Sequence, residues 1–291
     1  MAKLPALTML EQAGFITPEH SRKLADRCRD DNTAVYTDSQ SGVIFLDPEF
    51  GGKSAEYYSD KAVPSSAAPR NDMDLLDTAR RSQLLQPYIA GKRWLDFGCG
   101  PGYQLRRDSA VSSNHLAIEL NKANRELLLN DGFRVTKDLN DINEFVPDVI
   151  SLFHVMEHLT DPLAILTQLN AASASQSTLI VEVPHARDWL ICHGPKAFQD
   201  FTFWSEHLVL HTRQTLSFVL QQAGWQIQHI SAVQRYPVWN HLQWCLQHKP
   251  TGVNATSHDA SSIALHQAYE HYLAARDQTD TLVAIAKRIP Q

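Results

Sequence analysis

From residue 72 onward, two hydrophobic periods alternate along the chain. Short, mostly apolar runs rich in β-favouring residues occupy positions 93–97, 115–120, 133–135, 148–153 and 178–183, and read as buried strands. Between them, apolar positions recur every three or four residues. Leu75, Leu76, Ala79, Leu84 and Leu85 predict a helix stopped by Pro87. Others follow through Leu105 and over residues 122–129. Asp161 as N-cap and Pro162 at the first helical position open a helix reaching about residue 172. Thr212 caps a helix over 213–223, ended by Gly224. Residues 225–233 alternate as a strand, 239–246 and 263–275 have helical spacing, and 281–286 fit a final strand paired with 225–233. This order predicts an α/β fold, a doubly wound and mostly parallel sheet of seven strands. Ligands bind such sheets at the carboxyl ends of the strands, which nominates the loops after Phe97, Glu119, Phe153 and Val183.

The first seventy residues differ from the rest. Residues 5–29 read as helical with a break around Gly14 and Thr17-Pro18. Residues 33–37 and 42–46 flank Asp38-Ser39-Gln40-Ser41 as a hairpin, and Pro64 to Pro69 form a loop. The expected division is a small N-terminal α+β segment, residues 1–70, covering the acceptor side, and a main domain, residues 71–291, with a helical insertion at about 237–278. Residues 188–211 show no period but are dense in aromatic residues and histidine, as in a lid or a substrate surface.

Charge narrows the function. Asp plus Glu number 32 against 26 Lys plus Arg, a net −6, without a dense basic run, which disfavours binding through nucleic-acid phosphates. No membrane span and no signal-peptide pattern is evident, so a cytoplasmic protein is expected. Cys28, Cys99, Cys192 and Cys245 are far apart, as reduced thiols rather than a cysteine zinc site.

The chemistry starts at Trp94-Leu95-Asp96-Phe97-Gly98-Cys99-Gly100-Pro101-Gly102, a strand running into a glycine turn suited to close approach of a nucleoside cofactor. The Gly-x-Gly-x-Gly spacing differs from the dinucleotide pattern Gly-x-Gly-x-x-Gly, since residue 103 is Tyr. Asp96 on the first strand and Glu119 at the tip of the second supply acids, the latter placed to accept ribose hydroxyls.

These residues, with Phe153-His154-Val155-Met156-Glu157-His158-Leu159 and Val181-Glu182-Val183-Pro184-His185, resemble in order the motifs of class I S-adenosylmethionine-dependent methyltransferases, over roughly residues 72–224. The resemblance implies a Rossmann-like methyltransferase fold and S-adenosylmethionine as cofactor. It implies that Asp96, Gly98, Cys99, Gly100 and Gly102 face the methionine part, that Glu119 and Leu120 hold the ribose, that Asp138 and Leu139 flank the adenine, and that Phe153 and His154 lie near the sulfonium. Within the superfamily the chain most resembles bacterial enzymes acting on sugar and surface-polysaccharide substrates, through Ser205-Glu206-His207-Leu208, Gln234-Arg235-Tyr236-Pro237 with Asn240-His241-Leu242, and Thr279-Asp280-Thr281-Leu282. That likeness implies a small, carbohydrate-type acceptor, with His207 as general base beside Glu206. Those enzymes also carry a cysteine-rich zinc-binding segment at the N-terminus; here Cys28 stands alone, and no metal is expected.

Independently, transfer to a protic acceptor needs alignment and proton removal, and histidine titrates near neutrality. His185 and His154, at strand ends, are alternatives to His207 among 14 histidines. Glu157-His158 reads either as metal ligands or, more simply, as capping and packing residues. Arg235 and Tyr236 offer a site for an anionic or sugar group, or a surface salt bridge. Two rival functions remain: a nicotinamide-dependent oxidoreductase, and a non-catalytic protein that binds S-adenosylmethionine.

Overall fold

The computed structural model describes residues 3–61, 66–69, 71–250 and 260–289. Its N-terminal part runs α1 (Pro5–Gln12), β1 (Ser21–Ala25), β2 (Val35–Asp38), β3 (Ile44–Leu46) and α2 (Ala55–Asp60). Then come α3 (Asp72–Ile89), β4 (Arg93–Phe97), α4 (Tyr103–Asp108), β5 (Asn114–Ile118), α5 (Lys122–Asn130), β6 (Val135–Thr136), α6 (Ile142–Phe145), β7 (Val149–Phe153), α7 (Pro162–Ala172) and β8 (Thr178–Pro184). The chain continues through α8 (Trp189–His193), α9 (Lys196–Thr202), β9 (Val209–Leu210), α10 (Arg213–Gln222), β10 (Trp225–Val233), α11 (Val238–Gln247), α12 (Ala260–Ala275) and β11 (Thr281–Arg288).

Seven strands form one sheet in the order β10-β11-β8-β7-β4-β5-β6. Strands β8, β7, β4, β5 and β6 run parallel, while β11 lies antiparallel between β8 and β10. Side-chain alternation assigns the two faces. Leu95, Phe97, Ile150, Leu152, Leu179 and Val181 join the core that α7 and α10 cover with Leu166, Leu169, Leu216 and Val219. Trp94, Val149 and Ile180 point the other way, against Leu85 and Ile89 of α3, Leu105 of α4 and Leu128 of α5. From β4 the chain winds toward β5 and β6, then returns to β7 on the opposite side. The resulting crevice opens at the carboxyl ends of β4 and β7.

A second sheet, β1-β2-β3-β9, is antiparallel, and β9 joins it from much later in the chain: Ile44 faces Leu210 and Phe45 faces Val209. Leu7, Leu10, Val35 and Ile44 pack into the same core as α7 and α10. The predicted hairpin is β2–β3, the Asp161 side chain accepts the Ala164 N–H as expected of an N-cap, and β10–β11 pair as predicted.

Four local expectations are corrected. The second half of the predicted N-terminal helix is β1, because pairing with β2 overrides the helical propensity of Arg22, Lys23 and Leu24. Helix α3 passes Pro87 and ends at Ile89: proline in the last turn forfeits one hydrogen bond, and burial of Leu85 and Ile89 outweighs it. Leu75 and Leu76 are exposed, since the inward face of that part of α3 is polar, with Asp77 and Thr78 buried. The aperiodic segment 188–211 folds into α8, α9 and β9, elements too short for a period to register. Pro64, Ser65 and Arg70, at the expected segment boundary, and residues 251–259 of the expected insertion lie outside the described residues. Among the described residues, no helix is long and apolar enough to cross a membrane.

Helix α10 starts with a reciprocal cap: Thr212 Oγ1 accepts the Thr215 N–H and Thr215 Oγ1 accepts the Thr212 N–H. Thr212→Ala should cost about 1 kcal/mol, read as a lower urea midpoint at unchanged m-value. An unchanged midpoint would show that the cap adds nothing net.

Candidate active site

The glycine turn after β4 is fixed by its backbone. Gly98 has φ +73°, and its N–H and that of Cys99 donate to the Ile118 carbonyl at 2.8 and 3.2 Å. A Cβ on Gly98 would stand 2.4 Å from a Val155 methyl, so the position excludes larger residues. Gly100, at φ +57°, is different: a Cβ there meets nothing within 4 Å, so the turn is open at its middle. Gly102 is the left-handed residue that starts α4.

Acids surround this turn. Glu119 follows β5, and its carboxylate accepts the Gly100 N–H at 2.6 Å and the Asn121 N–H at 2.7 Å. Burial raises its pKa. Leu120 beside it is exposed, and its carbonyl accepts from Arg125. Asp96 is buried and accepts the Ser151 hydroxyl at 2.8 Å, while Ser151 Oγ accepts the Trp94 indole N–H at 2.9 Å. Burial pushes the Asp96 carboxyl up to about 7, against the opposing Ser151 hydrogen bond. Asp138 is exposed and caps a 3-10 turn by accepting the Asn140 N–H, and Leu139 packs at the core margin.

At the end of β7, the Phe153 ring lies 5.0 Å under the Arg81 guanidinium. His154 takes φ +54°, which sends its ring between two buried carboxylates: Nδ1 is 3.0 Å from Glu157 Oε1, and Nε2 is 3.3 Å from Glu182 Oε1. Glu182 also accepts from Arg80 and Arg81 of α3 at 2.6–3.0 Å. Although burial opposes ionisation, Arg81, His154 and Arg80 hold this carboxyl well below the usual range.

A cavity of about 500 Å³ opens beside these strand ends. Its lining combines polar residues, His154, His185, His207, Arg235, Tyr236 and Asp280, with apolar ones, Leu190, Phe198, Phe201, Trp204 and Trp244. Residues more than 120 positions apart, from His154 to Asp280, thus line one cavity. The His207 ring makes no hydrogen bond among the described residues, and burial, then the charge of His158, push its pKa down to about 4. Glu206 is not its partner: its carboxylate accepts from Tyr57 at 2.8 Å and from Lys61. The buried His185 pairs through Nδ1 with the Thr279 carbonyl at 3.0 Å. Arg235 is bound to Asp77 through Nε at 3.0 Å, so the salt-bridge alternative applies, though in the cavity wall and not at the surface. The Arg235 and Tyr236 backbone N–H groups donate to Asp280 at 3.0 Å.

A family model described as a methyltransferase domain matches residues 72–230. The chain belongs to this methyltransferase-domain family. It is accordingly an S-adenosylmethionine-dependent methyltransferase, and the oxidoreductase alternative lapses. Among solved structures, the chain is similar to an S-adenosylmethionine-dependent methyltransferase from Archaeoglobus fulgidus, at TM-score 0.51 and 19% identity, covering 74% of this chain and 94% of that one. An N-methyltransferase, NodS, from Bradyrhizobium japonicum, in complex with S-adenosylhomocysteine, gives TM-score 0.48 and 12% identity over 83% and 100% of the two chains. The Archaeoglobus likeness is one of fold. No curated protein sequence matches. The residues present fit the methyl donor of this methyltransferase: an open glycine turn at Gly100 sits directly beside the anchored Glu119 carboxylate.

Sequence reasoning assigned no role to Asp77, Arg80, Arg81 and Glu182. Asp77, Arg80 and Arg81, at helical spacing, read as a solvated face, and only the packing of α3 over the strand ends brings Arg80 and Arg81 onto Glu182 of β8.

Asp96 yields a pH test. Between its ordinary value of 3.8 and about 7, the folded chain keeps a proton that the unfolded chain has released. Its contribution to stability therefore falls as pH rises and is gone above about 7. Asp96→Asn lacks that dependence, so in thermal melts of the ligand-free protein the variant should gain on wild type between about pH 5 and pH 8. A constant difference would contradict a proton-holding Asp96.

Proposed function

We propose that this methyltransferase acts on a small, protic, carbohydrate-type acceptor held in the cavity next to His154. The observation that carries the reading is convergence: the Glu206-His207, Arg235-Tyr236 and Thr279-Asp280 segments resemble sugar methyltransferases in sequence, and His207, Arg235, Tyr236 and Asp280 line one cavity. In this reading Asp96, Gly98, Cys99, Gly100 and Gly102 hold the methionine side of the donor, Glu119 and Leu120 the ribose, and Asp138 and Leu139 the adenine. Phe153 and His154 border the transferring methyl group.

When bound, the donor supplies a methyl carbon activated by positive sulfur. The chain aligns the acceptor, keeps out water and takes a proton. His207 is the proton acceptor, because its ring faces the cavity without a hydrogen-bond partner among the described residues. His185 serves as a wall residue, its Nδ1 engaged by Thr279. Glu206 acts by clasping Tyr57 and Lys61, which brings the end of α2 over the same region. The apolar lining residues Phe198, Phe201 and Trp204 seat the ring face of the acceptor. Arg235 contributes its backbone position, and its guanidinium charge is already matched by Asp77.

Two outcomes test the assignment. Glu119→Gln should weaken S-adenosylhomocysteine binding at least tenfold in calorimetry, about 1.4 kcal/mol; unchanged affinity would remove the ribose role. His207→Ala should lower turnover by about 10²–10⁴ on a panel of sugar acceptors followed by S-adenosylhomocysteine release, with cofactor affinity kept. Near-normal turnover would sink the base.

A further inference from the structure

Glu157 and His158 stand side by side on the 3-10 turn Met156–His158 that leaves β7. Two adjacent residues there offer an ion too few donors, but the fold brings a third. The Leu208 N–H donates to the Glu157 carbonyl at 2.7 Å, pinning the segment before β9 against the turn. His207 then meets His158, with ring centroids 4.9 Å apart and planes at 80°. One donor atom from each of Glu157, His158 and His207 lies within 4.8 Å of the other two.

Two of these residues carry a stranded polar atom. Glu157 is fully buried, and while its Oε1 meets His154 Nδ1, its Oε2 has no hydrogen-bond partner among the described residues. His158 Nδ1 is likewise buried and without a partner. A buried carboxylate oxygen and a buried imidazole nitrogen left unsatisfied on adjacent residues are costly. A shared cation satisfies both.

We propose that Glu157, His158 and His207 form a binding site for a divalent transition-metal ion of the zinc class. Two imidazoles with one carboxylate suit Zn²⁺, whereas Mg²⁺ and Ca²⁺ favour all-oxygen shells. Zn–N distances of about 2.0–2.1 Å require the donors to draw in by roughly an ångström. His158 and His207, both only partly buried, make that adjustment, while His154 keeps Glu157 in place. Of the three ligands, His207 also lines the cavity. The functional consequence, unlike binding itself, rests on His207 being the base: an ion on its one free lone pair stops it from taking the acceptor's proton, so the ion inhibits methyl transfer.

The full-length protein, stripped with chelator, is titrated with ZnCl₂ in a calorimeter and with CoCl₂ under visible absorption. Expected are one equivalent per chain and the ligand-field bands of four- or five-coordinate Co²⁺. His158→Gln should weaken binding at least tenfold while its melting temperature confirms folding, and His229→Gln, an exposed histidine of β10, should leave it unchanged. Absence of saturable one-to-one binding, or His158→Gln binding as tightly as wild type, overturns the site. Binding that follows this pattern without slowing S-adenosylhomocysteine release upholds the site and removes the base role of His207.

Discussion

Glu182 is a carboxylate with no access to water, placed at the end of the central β8 strand. An isolated charge there would be untenable, and it persists because Arg80 and Arg81 reach down from α3 and His154 approaches from the neighbouring β7. That requirement docks α3 across the strand ends and turns His154 into a left-handed backbone conformation. His154 in turn ties Glu182 to Glu157, and through the Glu157 carbonyl to the segment carrying His207. The polar floor of the site is therefore one connected network, and its geometry follows from the need to pair buried charge.

The two halves of the site are held in different ways. At the glycine turn the backbone sets the geometry, through glycines in left-handed conformations and N–H groups that position Glu119. Around the cavity, side chains from β8, α9, α11 and the segments near them form the lining, and its charges are largely matched internally, Arg235 by Asp77 and Asp280 by backbone N–H groups. A cavity so constituted favours shape and hydrogen bonding over strong anion attraction. The small N-terminal sheet closes the arrangement, since β9 supplies its last strand immediately after His207.

Much of the fold was legible because it rests on local periodicity. The strands at β4, β7, β8 and β10 and the caps of α7 and α10 were read within a residue or so, because alternation, Asp-Pro and Thr–Gly signals are properties of adjacent positions. Where reading failed, a distant partner decided. Arg22, Lys23 and Leu24 are strand only because β2 lies alongside, and α3 outruns Pro87 because the sheet buries Leu85 and Ile89. Likewise Glu206 and His207 are neighbours in sequence yet turn to different partners.

By itself, the sequence determined the order of strands and helices, the glycine turn with its flanking Asp96 and Glu119, and through these the family of the chain. Each of those rests on contiguous residues whose conformational limits are intrinsic. Only the tertiary structure decided which charges are buried and which histidines meet. Arg80 looks no different from a surface residue until β8 places Glu182 beneath it, and Glu157-His158 remains a plain pair until the main-chain bond from Leu208 brings His207 beside it. Burial and convergence depend on long-range packing, a relation between segments that no single stretch of chain encodes.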